Sequence, residues 1–135
     1  MPDGSATGIG VSVKRKEDYR FLVGEGNYTD DINRPNQTYS YMFRSDTAHA
    51  NFKIDVKNAS NAKGVVKIFV GTDMEVGGIP CGWQVDSKDG TPMREPAHPP
   101  IAKDKVRYVG EILAVIIAES IEEAKNAAEL IEVSF

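Results

Sequence analysis

The residues of this chain that could do chemistry are few and widely separated. His49 and His98 are its two histidines, and Cys81 is its single cysteine. The histidines lack the spacing of a zinc motif, so a packed or edge position is predicted for His49 and an exposed loop position for His98. No lysine or arginine lies directly beside Cys81 to activate its thiol.

Carboxylates provide the remaining candidates. Glu111 follows Gly110 between two predicted strands, where a buried carboxylate could act as a general base, although a structural role in capping or pairing is favoured. Asp30 and Asp31 are adjacent and lack the alternating oxygen ligands of a calcium loop. The segment Gly24–Asp31 is rich in glycine, but neither a buried strand before it nor a helix after it completes a phosphate-binding fingerprint. We therefore predict no catalytic, cofactor-binding or metal-binding residue.

Composition restricts the possible functions further. The chain has 135 residues, enough for one domain with a real core, and carries 16 Lys and Arg against 20 Asp and Glu. This acidic balance argues against a nucleic-acid surface. No apolar run is long enough to cross a membrane, and the N-terminus lacks the apolar region of a signal peptide. With a lone cysteine, which fits a reducing compartment, these features predict a cytoplasmic protein.

The last third of the chain predicts the core. Leu113–Ala118 is an apolar run that is typical of a strand buried on both faces. Ser120 should begin a helix, with Glu123 completing a capping box. Helical spacing predicts an inward stripe, made of Ile121, Ala124, Ala128 and Ile131. Residues 132–135 should form a returning strand, so strand, helix and strand together predict an α+β domain.

The rest of the chain must fold on this core. Three further strands are predicted, at residues 38–44, 48–56 and 65–70, with a short helical turn at 58–62. Residues 1–12 should form a flexible N-terminal segment and residues 13–135 a single domain. The charged stretch around Lys14–Lys16 is interpreted as a solvated turn, with a phosphate- or partner-binding patch as the alternative.

Residues 74–104 show no periodicity, and a loop of this length is unusual inside a compact domain unless it is functional, disordered or ordered by a neighbour. Trp83, the only tryptophan, lies in this loop and should meet another surface. The loop, together with the hairpin predicted at residues 44–50, is the expected interaction surface. The predicted interface residues are Arg44, His49, Trp83 and His98.

An ordered series of short motifs extends over nearly the whole chain. It comprises Gly8-Ile9-Gly10, Arg15–Asp18, Gly24–Asp31, Arg44-Ser45, Ala48-His49-Ala50, Ile54-Asp55, Gly64–Val66, Gly71–Asp73, His98–Ala102, Lys105–Glu111 and Ala127–Val133. In this order the series resembles the N-terminal domain of the large, molybdopterin-binding subunit of the molybdenum hydroxylases. That family includes xanthine dehydrogenases, aldehyde oxidases and aerobic carbon monoxide dehydrogenases.

The resemblance implies an α/β hammerhead, a mixed β-sheet with one or two packed helices. It also implies that the molybdopterin-bound molybdenum and the catalytic residues lie in later domains of the full subunit. Iron–sulfur clusters and FAD would lie on partner chains or domains. The implied partners are the remaining domains of the large subunit and the iron–sulfur and flavin subunits, with a homo-oligomer also possible.

Two other functions stay open at this point. The chain could be a stand-alone, non-enzymatic binding or adaptor module that uses the hammerhead fold. It could also be a small enzyme that uses Glu111 and His98 in a cleft of the long loop. The substrate and subfamily are not specified by the sequence.

Overall fold

The computed structural model describes residues 8–10 and 14–135. Its contacts divide the chain into two units, one extending to Pro35 and the other spanning Asn36–Phe135. Most of the predicted flexible segment, residues 1–7 and 11–12, lies outside the described residues, as does Val13.

The first unit is held by local contacts. Helix α1 (Asp18–Leu22) buries no residue, and a short 3₁₀ turn follows at Thr29–Asp31. The rings of Phe21 and Tyr28 stack with their centroids 5.6 Å apart, and the Tyr28 amide donates to the Asp31 carboxylate at 2.8 Å. The basic stretch before α1 is exposed, which agrees with the predicted solvated segment, although the chain becomes helical at Asp18.

The second unit is built on a three-stranded antiparallel sheet in the order β1–β6–β4. Its strands are β1 (Tyr39–Arg44), β4 (Val65–Val70) and the central β6 (Ile112–Ala118). β1 pairs with β6 from Tyr39 opposite Ala118 onward, until the register shifts between Phe43 and Arg44. Such an irregularity re-aims the side chain that follows it, here Arg44.

Two short antiparallel pairs complete the strand set. β2 (Ala50–Asn51) pairs with β5 (Lys105–Val106), and β3 (Lys53–Asp55) pairs with β7 (Glu132–Ser134). The prediction of a single strand over residues 48–56 is therefore wrong. The strand is interrupted at Phe52. The side chain of this residue is buried, and its amide donates to the Asp104 carbonyl oxygen at 2.9 Å. The two halves consequently pair with different strands.

Helix α3 (Ile121–Ala128) covers one face of the sheet, and its predicted cap is confirmed. The Glu123 amide donates to the Ser120 hydroxyl at 3.2 Å, and that hydroxyl donates to the Glu123 carboxylate at 3.0 Å. Ala124 and Ala128 are buried as predicted, together with Ala127, while Ile121 is only half-buried. Small side chains let the helix approach the sheet closely.

The main core lies between α3 and the sheet. Its buried residues are Ala59, Ile68, Ala114, Ile116, Ala118, Ala124, Ala127, Ala128 and Ile131. Ala59 comes from the short helix α2 (Lys57–Ser60), which lies where the helical turn was predicted. A second buried cluster contains Phe52, Ala102, Val106 and Leu113. The α+β class is thus confirmed, but all strand pairs described are antiparallel, so the mixed sheet is not observed.

Candidate functional site

The strongest polar constellation forms where the end of β1 meets the turn before β6. We call Arg44-Ser45 and Arg107–Glu111 together the polar corner. The Ser45 amide donates to the Glu111 carbonyl oxygen at 2.9 Å, and the Gly110 amide donates to the Ser45 carbonyl oxygen at 2.7 Å. The Arg44 guanidinium donates to the Gly110 carbonyl oxygen at 2.8 Å. These bonds fasten two segments that are 66 residues apart in sequence.

Glu111 is the buried carboxylate of the polar corner, with 3% of its surface exposed. It accepts a hydrogen bond from the Arg107 amide and forms an ion pair with the Arg107 guanidinium at 3.9 Å. Burial of a charged group requires such compensation, because its hydration is lost. Gly110, in the turn before β6, has a φ of 91°, a conformation that glycine adopts readily because it has no Cβ. The carboxylate is therefore engaged in supporting the turn.

His98 reaches the same turn from the long loop. Its ring stacks on Tyr108 with centroids 6.0 Å apart, and its Nε2 lies 3.4 Å from the Tyr108 hydroxyl oxygen. Both groups remain partly or fully exposed to solvent. The alternative of a small enzyme that uses Glu111 and His98 is not supported, since the carboxylate contacts Arg107 and the imidazole contacts Tyr108.

Within the predicted irregular loop, residues Gly78–His98 fold back on themselves, and we call this segment the Trp83 hairpin. At its base the Ile79 amide donates to the His98 carbonyl oxygen at 2.7 Å. Asp86 and Pro92 form a bridge near the far end, and the Ser87 amide donates to the Thr91 carbonyl oxygen at 2.8 Å. The segment is therefore closed at its base and near its tip, although no regular strand forms between these two points.

Glu95 ties the two sides of the Trp83 hairpin together. Its carboxylate accepts a hydrogen bond from the Cys81 amide and another from the Gln84 side-chain nitrogen at 3.0 Å. The Cys81 thiol lies 3.1 Å from the Trp83 carbonyl oxygen. An open groove of about 350 Å³ runs beside these groups, lined by Ile79, Pro80, Cys81, Met93, Glu95 and His98 among others.

The structure places two of the four predicted interface residues at the polar corner and the other two elsewhere on the surface. Arg44 and His98 both contact the turn Tyr108–Gly110, so the structure brings them to the polar corner. Trp83 lies on the hairpin with 81% of its surface exposed, and His49 is exposed just before β2. The sequence reasoning missed Tyr108 and Glu95, and no local signal in the sequence marks either residue.

Within the described residues, no group of three or more histidine, cysteine, aspartate or glutamate side chains could hold a metal ion. Nor does any helix in that part of the chain have the length and apolar character needed to cross a membrane. The polar corner can stabilise backbone and present Tyr108 and His98, but it does not bring together a nucleophile and a base. The site is best described as a structural corner next to an exposed hairpin.

Comparison with known proteins places this fold. The family model described as "Aldehyde oxidase and xanthine dehydrogenase, a/b hammerhead domain" matches residues 23–135. The nicotine 6-hydroxylase large subunit of Paenarthrobacter nicotinovorans is 37% identical over 126 residues, covering 91% of this chain and 15% of that protein. The carbon monoxide dehydrogenase large chain of Afipia carboxidovorans is 30% identical over 129 residues, covering 95% and 15% respectively.

A solved structure agrees with the family match. Quinoline 2-oxidoreductase from Pseudomonas putida 86 superposes with a TM-score of 0.81 at 36% identity, covering 93% of this chain and 16% of that one. The chain spans about 15% of the length of the curated relatives named above. The recurrence of the whole fold in these proteins confirms the predicted hammerhead. This chain belongs to the aldehyde oxidase and xanthine dehydrogenase hammerhead domain family.

Proposed function

We propose that this chain is the hammerhead domain of a molybdenum hydroxylase large subunit and serves as a packing domain without an active site of its own. The family match over residues 23–135 carries this proposal. The polar corner supports it, because Glu111 is bonded to Arg107 instead of facing a cleft. The domain's contribution to hydroxylation would be to position other domains.

An iron–sulfur cluster does not fit the residues of this chain. An iron–sulfur cluster is held by several cysteine thiolates, and this sequence contains only Cys81, which is exposed. The described residues also contain no cluster of ligands that suits a metal ion. We propose that molybdopterin-bound molybdenum lies in other domains of the large subunit, and that iron–sulfur clusters and FAD lie on partner chains or domains, as the family resemblance implies.

The open face of the main sheet supports a packing role. Val115 of β6 pairs with Met42 of β1 on one side and with Phe69 of β4 on the other. Because side chains alternate along a strand, this row lies on the face opposite to the one where Ile116 packs in the core. Met42 is 39% exposed and Phe69 37% exposed. An antiparallel sheet that faces water on one side normally alternates apolar and polar residues. Apolar side chains on this face are consistent with burial against another domain.

The family match also supports a proposal for the reaction and the cellular location. We infer that the complete enzyme hydroxylates or dehydrogenates a small organic or one-carbon substrate, since the relatives act on nicotine and carbon monoxide by name. Its partners would be the rest of the large subunit together with iron–sulfur and flavin subunits. The lone, exposed Cys81 supports a cytoplasmic location, where thiols stay reduced.

The proposal is tested by following molybdenum. The chain is tagged in its native host and purified under native conditions, and molybdenum and pterin are measured in the product. We expect both in the native preparation, together with a polypeptide that carries the remaining large-subunit domains. The 135-residue chain produced alone in a bacterium that makes the cofactor should contain neither. Stoichiometric molybdenum in the chain alone would overturn the proposal, and recovery without any cofactor-bearing polypeptide would favour an adaptor module.

A further inference from the structure

The Trp83 hairpin exposes apolar side chains along its whole length. Every residue from 75 to 98 is exposed. Four large apolar side chains lie on the hairpin, with exposed fractions of 37% to 81%: Ile79, Trp83, Val85 and Met93. Burying one large apolar side chain contributes about 1.5–3 kcal/mol, so leaving four in water is costly. Exposed apolar clusters of this kind mark contact surfaces.

The hairpin is nevertheless preset in shape. Its base is closed by the bond between Ile79 and His98, and its middle by the Glu95 carboxylate. A Cβ added at Gly78 would lie 2.8 Å from the His98 backbone nitrogen, so the two sides approach closely at the base. An isolated two-stranded hairpin is at best marginally stable in water. Polar ties that hold an apolar hairpin in one conformation reduce the entropy lost when it docks.

We propose that the Trp83 hairpin docks against the remainder of the large subunit, with the indole of Trp83 inserted into an apolar cleft of that polypeptide. The inference rests on the proposed function. The family match over residues 23–135 includes the hairpin, and the matched region is about 15% of the length of the two relatives named above. Most of the protein surface that could cover the hairpin therefore belongs to the large subunit itself. Tryptophan is the residue type most enriched among interface hot spots.

Charge does not point to a different partner. Lys88 and Arg94 are the basic residues of the hairpin, and three carboxylates, Asp86, Asp89 and Glu95, lie among them. A nucleic-acid surface would show a basic excess. The apolar side chains of the hairpin are therefore the feature that would recognise its binding partner.

Photo-crosslinking in the complete protein tests the docking. A photoreactive phenylalanine analogue replaces Trp83 in the polypeptide that carries this sequence in its native host, and cross-linked peptides are identified by mass spectrometry. Leu130, which is 46% exposed after α3, serves as the matched control position. We expect cross-links from position 83 to peptides of the molybdopterin-binding part of the large subunit, at least fivefold above those from position 130. Cross-links to a second copy, to an iron–sulfur or flavin subunit, or at equal yield from both positions would overturn the proposal.

Proteolysis gives a second measurement that does not require the analogue. Trypsin should cleave the chain alone rapidly after Lys88 and Arg94, because both lie in the exposed hairpin. In the assembled enzyme these cleavages should be at least tenfold slower, and Trp83→Ala should restore them while Leu130→Ala should not. Equal cleavage rates in the two preparations would contradict docking. If molybdenum and pterin still copurify with the tagged chain in that case, the hairpin inference fails while the proposed function stands.

Discussion

The main sheet and the Trp83 hairpin both bring antiparallel segments together, yet different forces hold them. β6 lies between β1 and β4, and its row Ala114, Ile116 and Ala118 is completely buried beneath α3. The hairpin buries no residue and is tied by backbone bonds and the Glu95 carboxylate. The comparison teaches that apolar burial fixes the domain's fold, while polar ties shape a surface that remains open for a partner.

The largest test of this contrast removes core volume. Ile116→Ala deletes a side chain with no exposed surface at the centre of the sheet, and should lower the free energy of unfolding by about 2–5 kcal/mol. Val85→Ala on the hairpin is the matched control and should change it by less than about 0.5 kcal/mol. Urea denaturation of the two variants measures both values. Similar losses in the two would mean that the hairpin is part of the cooperative core.

The next test concerns Gly71 and Ala102, which lie in the two segments that connect the core to the hairpin. A Cβ at Gly71 would lie 2.2 Å from the Ala102 carbonyl oxygen, and the Ala102 amide is itself bonded to the Ile112 carbonyl oxygen at 2.8 Å. Because backbone is less able to yield than a side-chain end, Gly71→Ala should destabilise the fold by about 1–3 kcal/mol.

Gly77→Ala is the control for this position, since nothing lies within 4 Å of its added Cβ. It should leave the free energy of unfolding within about 0.5 kcal/mol of the parent value. Denaturation curves for both alanine variants are compared under the same conditions. A neutral Gly71→Ala would show that the returning segment can shift without affecting β6.

The sequence predicted the core because its signals are local. The run Leu113–Ala118 forms a strand as expected, although Val115 and Ile117 are only half-buried, and the Ser120–Glu123 capping box is present. The break at Phe52 escaped prediction, because apolar alternation continues across it while the pairing partner changes.

The candidate site was less predictable than the core. The polar corner depends on contacts between residues far apart in the chain, such as Arg44 with Gly110. The hairpin has no apolar periodicity to mark it, and its register depends on isolated bonds, including those made by Glu95. The residue type of Trp83 predicts that it meets another surface, but its position on the hairpin required the structure.

A smaller effect is expected at the helix cap. Ser120→Ala removes the acceptor for the Glu123 amide and should cost about 1 kcal/mol of stability. Ser120→Thr retains a hydroxyl acceptor and should recover most of the loss. Thermal unfolding of the three proteins measures the ranking. If the alanine and threonine variants melted at the same temperature, the hydroxyl would not be what stabilises the start of α3.

The smallest effect is expected at the hairpin tip, where the response to pH should differ from that of the core. The Thr91 hydroxyl and amide both donate to the Asp89 carboxylate, at 2.6 and 3.0 Å, and these bonds lower the pKa of Asp89 below its ordinary value. Because the folded-state pKa is the lower one, the stabilisation is present above the unfolded-state pKa and is lost as pH falls through the folded-state pKa.

The Thr91 amide resonance should therefore titrate with a midpoint below about 3.9, the usual pKa of aspartate. The Ile116 amide, in the core, should not move over the same pH interval. Asp89→Asn should abolish the Thr91 titration and lower the free energy of unfolding far less than Ile116→Ala, because the tip is exposed and makes no contribution to the buried layer. A midpoint at or above the usual value would mean that the Thr91 bonds do not lower the pKa of Asp89. A loss of global stability in Asp89→Asn as large as that in Ile116→Ala would mean that the tip is coupled to the core.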